Sequence, residues 1–168
     1  MSPAVHPPVP RLCLRVGAAG HRWDRLPAQA AGPVTARATE VLAALEADVT
    51  ALCDAPGCPD GPPLFRIISP LAEGADRLLA AAALARGWEL QAVLPFPAAE
   101  YERDFPDPSS REEFRALLAR ATAVQVLDAT RPEEAPYARL GDALPRHADL
   151  LLVVWDGAPA RGPGGTPE

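Results

Sequence analysis

Between residues 33 and 53, apolar side chains return every three or four positions. Val34, Ala38, Val41, Leu42, Leu45, Val49 and Leu52 make one stripe, which predicts an amphipathic helix. Around it stand short apolar runs bounded by glycine and proline, and these predict strands. Residues 11–16 (RLCLRV) end at Gly17, residues 64–69 (LFRIIS) at Pro70, and residues 88–94 (WELQAVL) at Pro95. Residues 123–127 (AVQVL) and 149–155 (DLLLVVW) are the fourth and fifth runs. Three further helices fall between them. One opens at residues 73–76 and runs to Arg86, with Gly87 placed as its C′ residue. One follows a loop over residues 98–108; Ser109 and Glu112 match a capping box, and Phe114, Leu117, Leu118 and Ala121 form its buried side. The last covers residues 134–146, with Tyr137, Leu140 and Leu144 on one side and Gly141 inside.

Five strands alternating with four helices, and apolar runs as continuous as LLLVVW, predict strands buried on both faces. The expected fold is a Rossmann-like three-layer α/β sandwich with a mainly parallel sheet of about five strands. At 168 residues the chain suits one domain, placed at residues 11–168 behind a flexible proline-rich leader, residues 1–10.

Composition narrows the function classes. The net charge is −6, and all 16 basic residues are arginine. An acidic chain does not suit a general nucleic-acid coat, although one local arginine can still hold the phosphate of a small nucleotide. No apolar run approaches the 18 residues of a membrane span, and residues 1–10 lack the features of a signal peptide. A cytoplasmic location is expected. Cys13 falls in a strand as a packing residue. Cys53 and Cys58 lack nearby partners for a metal, since His6, His21 and His147 are scattered. No metal site is expected, and a disulfide between Cys53 and Cys58 does not suit a reducing cytosol.

Ligands of open parallel sheets bind beyond the carboxyl ends of the strands, and the unusual segments of this chain all fall there. After strand one come Gly17, Gly20, His21 and Arg22: glycines for close backbone approach and a forked donor for an anion, or simply a tight turn. The spacing is not the dinucleotide G-x-G-x-x-G. After strand two, Gly74 and Ala75 lie at a helix N-terminus that favours an anion, and Glu73 is placed to accept from a ribose or base. Asp76 and Arg77 read either as part of that site or as a cap and a surface ion pair. After strand three come Pro95 and Phe96, then Tyr101, Asp104 and Phe105; Phe96 is either a stacking platform or a loop anchor, and Asp104 either orients a sugar or is solvated. After strand five come Asp156 and Gly157, then Gly164, Gly165 and Thr166 in the manner of a phosphate cradle.

With these segments placed, the chain resembles the SLOG superfamily, Rossmann-like nucleotide-binding domains related to the lonely-guy phosphoribohydrolases and to DprA. The matching residues are Gly20-His21-Arg22, the run from Leu71 to Arg77, Leu94-Pro95-Phe96-Pro97 with Tyr101, Asp104 and Phe105, and Trp155-Asp156-Gly157 with Gly164-Gly165-Thr166. The resemblance implies binding of a nucleotide or a nucleotide-derived ligand related to ADP-ribose. It does not extend to catalysis. The phosphoribohydrolase motif Pro-Gly-Gly-x-Gly-Thr is replaced by Pro163-Gly164-Gly165-Thr166-Pro167-Glu168, so Glu168 is not assigned as a catalytic acid. Domains of this kind continue with at least one more helix, so the resemblance implies either a shortened form or a sequence that ends early.

Binding or sensing of such a ligand is therefore the leading expectation. One alternative is an N-glycosidic hydrolase of nucleoside monophosphates, for which Glu73 and Asp104 are weak candidate carboxylates. The other is a degenerate protein-interaction module. The expected partner is a small nucleotide, with no membrane; magnesium would arrive only through ligand phosphates. Uncovered apolar surface would suit a homo-oligomer or a partner domain.

Overall fold

The computed structural model describes residues 10–54, 56–59, 61–127 and 135–158. Its strands are β1 (Cys13–Gly20), β2 (Leu64–Ser69), β3 (Glu89–Leu94), β4 (Ala123–Val126) and β5 (Leu150–Val154). Its helices are α1 (Ala31–Cys53), α2 (Ala75–Ala85), the single turn α3 (Ala98–Tyr101), α4 (Pro108–Leu118) and α5 (Ala135–His147). The sheet order is β4-β3-β2-β1-β5, and every neighbouring pair is parallel. This is the Rossmann-like three-layer α/β sandwich expected from the alternation of elements.

Chain direction fixes which helix covers which face. From β1 to β4 each step moves the same way, so right-handed crossovers put α1, α2 and α4 on one side. The return from β4 to β5 reverses direction and puts α5 on the other side. Two clusters result. The larger holds Val16, Leu42, Ile67, Leu79, Leu90, Leu94 and Phe114, all buried; each such side chain contributes about 1.5–3 kcal/mol. The smaller sets Leu140 and Leu144 of α5 against Ile68 and Val93.

Three expectations need correction. First, β1 does not stop before Gly17; it runs on to Gly20. Gly17 is a packing position, because a Cβ there would lie 2.6 Å from Leu151 Cδ2 and 3.1 Å from Leu144 Cγ. Its missing side chain lets α5 and β5 close on the sheet. Second, β5 is not buried on both faces. It is the edge strand beside β1, and Leu150, Leu151 and Val153 are each 45–46% exposed. A continuous apolar run fits a central strand and an unshielded edge equally well. Third, α4 is not capped by Ser109 and Glu112. The N-cap is Asp107, whose carboxylate accepts from Ser109 N at 2.9 Å, with Pro108 in the first turn. Residues 98–108, expected as a loop, contain α3 and a 3-10 turn, Glu102–Asp104.

The cap yields a small, clean prediction. Asp107→Ala should lower stability by about 1 kcal/mol, seen as a lower denaturant midpoint with unchanged slope. Ser109→Ala should stay within about 0.5 kcal/mol, as an exposed substitution does; the reverse ranking would return the cap to Ser109.

Among the described residues no helix is long and apolar enough to cross a membrane.

Candidate functional site

Three strand ends and the start of α5 meet at the carboxyl edge of the sheet. The loop after β1 is pinned from both sides. A Cβ on Gly20 would lie 2.6 Å from Ala75 Cβ and 2.7 Å from the Val154 carbonyl oxygen, so this glycine serves the close approach of α2 and β5. His21 N donates to Val154 O at 3.1 Å. The buried His21 ring points to the loop after β5, where Nε2 lies 3.1 Å from Asp156 N and 3.0 Å from Asp156 Oδ1. Arg25 donates to both oxygens of Asp156 at 2.7 and 2.8 Å, and Ala158 N adds a further bond. The Ala158 N–H first, then Arg25 and His21, hold the Asp156 carboxyl far below its ordinary range. His21 and Asp156 thus tie the ends of β1 and β5 together, with Gly157 at positive φ just beyond.

The loop after β2 is packed onto the loop after β1. Gly74 has φ 92° and ψ −128°, and a Cβ there would stand 2.4 Å from His21 O and 2.8 Å from Arg22 Cα. Only glycine fits that backbone and that gap. Ala75 N donates to His21 O at 3.0 Å, so the first N–H of α2 holds its neighbour loop instead of facing an open cradle. Leu71 has φ 58° although it is not glycine, and its N–H bonds Ser69 Oγ at 3.1 Å. Arg77 is completely buried. Its Nε donates to Leu71 O at 3.0 Å, and its Nη1 to Ser110 O, Ser110 Oγ and Glu113 at 2.8–2.9 Å. The guanidinium stacks 4.4 Å from the Phe105 ring centroid. Glu73 accepts a short hydrogen bond from Ser110 Oγ.

The segment after β3 brings aromatics. Pro95 and Phe96 are buried, and Phe96 meets Tyr137 of α5 edge-on at 6.1 Å. Tyr101 is buried among Phe105 and Phe114, at 5.0 and 5.6 Å. Tyr137 donates a short hydrogen bond to Asp104 Oδ2.

Arg22 lies where these segments converge. Its guanidinium carbon sits 5.6 Å from the Tyr137 ring centroid. Burial works against its charge, and Tyr101, Tyr137, Asp104 and Asp76 together outweigh that cost. Among the described residues no carboxylate lies within ion-pair distance of it. Two buried polar atoms beside it also lack partners, Asp76 Oδ1 and the Tyr101 hydroxyl. Burial pushes the Asp76 carboxyl up to about 7, against the opposing effects of Arg22, the Ala72 and Gly20 N–H groups and Arg77. Burial likewise pushes the Tyr101 hydroxyl well above its ordinary range. A half-buried cation without a counter-ion, next to an orphaned carboxyl oxygen and an orphaned hydroxyl, is an unfinished hydrogen-bond network.

Of the residues singled out in the sequence, Arg22, Asp76 and Asp104 come together here, and Phe96 joins them through Tyr137. Gly20, Gly74 and Ala75 shape the backbone that carries Arg22. Glu73 turns to Ser110, and His21, Asp156 and Gly157 sit at the β1–β5 crevice. Gly17 lies mid-strand under α5. Gly164, Gly165 and Thr166 lie outside the described residues. Two participants were not assigned to the site: Tyr137, placed with the apolar side of its helix, and Tyr101, noted in the loop after strand three and among the residues of the resemblance but given no role of its own. Among the described residues no three His, Cys, Asp or Glu side chains are grouped to hold a metal ion. No family model matches this chain, and no curated protein is significantly similar to it.

Proposed function

We propose that this chain binds a nucleotide, or a nucleotide-derived ligand related to ADP-ribose, at the carboxyl edge of its sheet. The observation that carries the reading is Arg22: a half-buried guanidinium with no carboxylate partner among the described residues, at the edge where parallel α/β sheets hold ligands. A forked cation left unpaired there is suited to a phosphate oxygen pair. Arg22 stands over the ring of Tyr137, whose hydroxyl donates to Asp104, so an aromatic and an acidic group border the cation.

Arg22→Ala should weaken binding by about 1.5–3 kcal/mol, or roughly 10- to 150-fold in Kd, because a charge-assisted bond is lost. Titration calorimetry with ADP-ribose, NAD, AMP and ATP reads this directly. Equal affinity in the variant and the parent would remove Arg22 from the site. Binding of none of these ligands by the parent would remove the reading itself.

A hydrolytic reading draws on one feature, the near-neutral carboxyl of Asp76 beside Arg22. Glu73 and Asp104 suit it less, since Ser110 and Tyr137 already donate to them. Release of free base from a nucleoside monophosphate, lost in Asp76→Asn, is the result that reading requires.

A further inference from the structure

We infer that two copies of this chain associate through the outer edge of β5, antiparallel about a two-fold axis at Leu152, so that their two sheets run on into one. The interface is independent of any ligand.

The backbone of β5 is built to take a further strand. It pairs with β1 over five consecutive residues, Leu150 to Val154, without a bulge. Among the described residues no strand lies on its other edge. There, alternate residues turn their N–H and C=O groups outward, a row that another strand can bond. Edges that stay unpaired are blunted by charge, proline or a bulge, and residues 150–155 (LLLVVW) hold no charge and no proline. The opposite edge, β4, is shorter and carries Gln125 mid-strand. Leu150, Leu151, Val153 and Trp155 are each 45–48% exposed. An open apolar groove of about 240 Å³ runs beside the strand, between Val34 and Val41 of α1 and Leu152, Val154 and Trp155.

A second β5 fits this edge because the strand is its own complement. A two-fold axis at Leu152, the centre of β5, sets Leu150 opposite the partner's Val154, Leu151 opposite the partner's Val153, and Leu152 opposite the partner's Leu152. Each pair shares a face of the joined sheet, and residues whose backbone groups turn outward meet one another. Apolar side chains therefore meet apolar side chains along the whole strand, with the partner's Leu150 arriving beside Val154 at the groove. The strand ends are balanced too. Asp149 is paired with Arg15 and Asp156 with Arg25, both at 2.7 Å. Antiparallel pairing lays one neutral acid–base pair beside the other, so no excess of like charge opposes contact. Four half-exposed side chains and the groove offer on the order of 500 Å² per copy, enough to bring a dimer to the roughly 1,000 Å² in total that a specific interface clears.

Sedimentation equilibrium of the full chain, from about 1 to 100 µM, is the test. The expected result is a monomer–dimer equilibrium within that range. Leu151→Glu and Val153→Lys should each weaken it about tenfold or more, because each sets a charge opposite an apolar partner with no counter-ion. Both positions are about half exposed, so the free chain carries the new charge at its surface. An equimolar mixture of the two variants should recover about tenfold in affinity over either alone, since the mixed dimer sets the introduced carboxylate against the introduced ammonium and leaves the other Leu–Val pair intact. A parent chain that is monomeric throughout overturns the inference. So does association undiminished in both variants, which would place the interface elsewhere. A mixture no tighter than either variant alone overturns the antiparallel register, and with it the inference.

Discussion

Asp76→Asn should make the protein more stable at pH 8, by about 4 kcal/mol. The Asp76 side chain is 5% exposed, Oδ1 has no hydrogen-bond partner, and burial pushes the carboxyl from an ordinary 3.8 up to about 7. The folded state therefore binds this proton more tightly than the unfolded state. Stability from this group is fully present below pH ~4, and it falls as pH rises towards 7, where the native carboxyl ionises. Each pKa unit is worth about 1.36 kcal/mol, and a rise of about three units gives the figure above. Asparagine is neutral at every pH and close to the same size, so the variant escapes the loss. At this chain length 1 kcal/mol moves Tm by roughly 2–4 °C, so the variant should melt about 8–16 °C above the parent at pH 8 and close to it at pH 4. The variant-minus-parent difference is the quantity to follow. Asp149 and Asp156, held low by their partners, weaken the fold as pH falls, but they do so in both proteins. A variant less stable than the parent at pH 8 would show that Arg22 and the Ala72 and Gly20 N–H groups more than compensate the buried charge. A carboxyl that destabilises its own fold at neutral pH is what a binding or catalytic residue looks like in stability data. The same variant should therefore change ligand affinity.

The parallel sandwich was legible because its signals are local and redundant. Apolar runs end at Pro70 and Pro95, a helical stripe spans residues 33–53, and the elements alternate without a break. What failed depended on packing between distant segments. Gly17 and Gly20 looked like turn residues, yet both lie in β1, and the atoms that forbid a side chain there belong to Leu151, Leu144, Ala75 and Val154. No local rule separates a glycine kept for its backbone angles from one kept for a neighbour's approach. The run LLLVVW looked doubly buried because apolarity reports composition and not position in the sheet. The carboxyl edge of the sheet was legible from strand direction alone, and so was the place of Arg22 just after β1. The burial of Asp76 and the arrival of Tyr137 were not. Each depends on where a helix more than fifty residues away from Arg22 settles.

Arg77 offers the strongest test of how that site is held. Arg77→Met keeps most of the side-chain volume and removes the guanidinium. The carbonyl of Leu71 then loses its Arg77 donor inside the protein, and Ser110 O loses the donor from Arg77 Nη1. A buried acceptor stripped of its donor costs about 1–3 kcal/mol. Loss of the contact with the Phe105 face adds about 1–2 kcal/mol. A total of about 2–5 kcal/mol should appear as a Tm roughly 4–20 °C lower. Glu113→Gln is the control. Glu113 is about half exposed, so breaking only its ion pair should cost about 1 kcal/mol or less. Equal losses in the two variants would assign the energy to the ion pair and not to the carbonyls. The consequence for binding follows from the contacts of the loop that Arg77 anchors. Arg77 holds Leu71, and three residues on Gly74 packs against His21 O and Arg22 Cα, while Ala75 N bonds His21 O. Loosening Leu71 therefore loosens the backbone under Arg22. Under conditions where Arg77→Met remains folded, ligand affinity should fall, but by less than in Arg22→Ala, because the cation is displaced and not deleted. Unchanged affinity in a destabilised Arg77→Met would separate the anchor from the site and leave Gly74 and Gly20 as the residues that position Arg22.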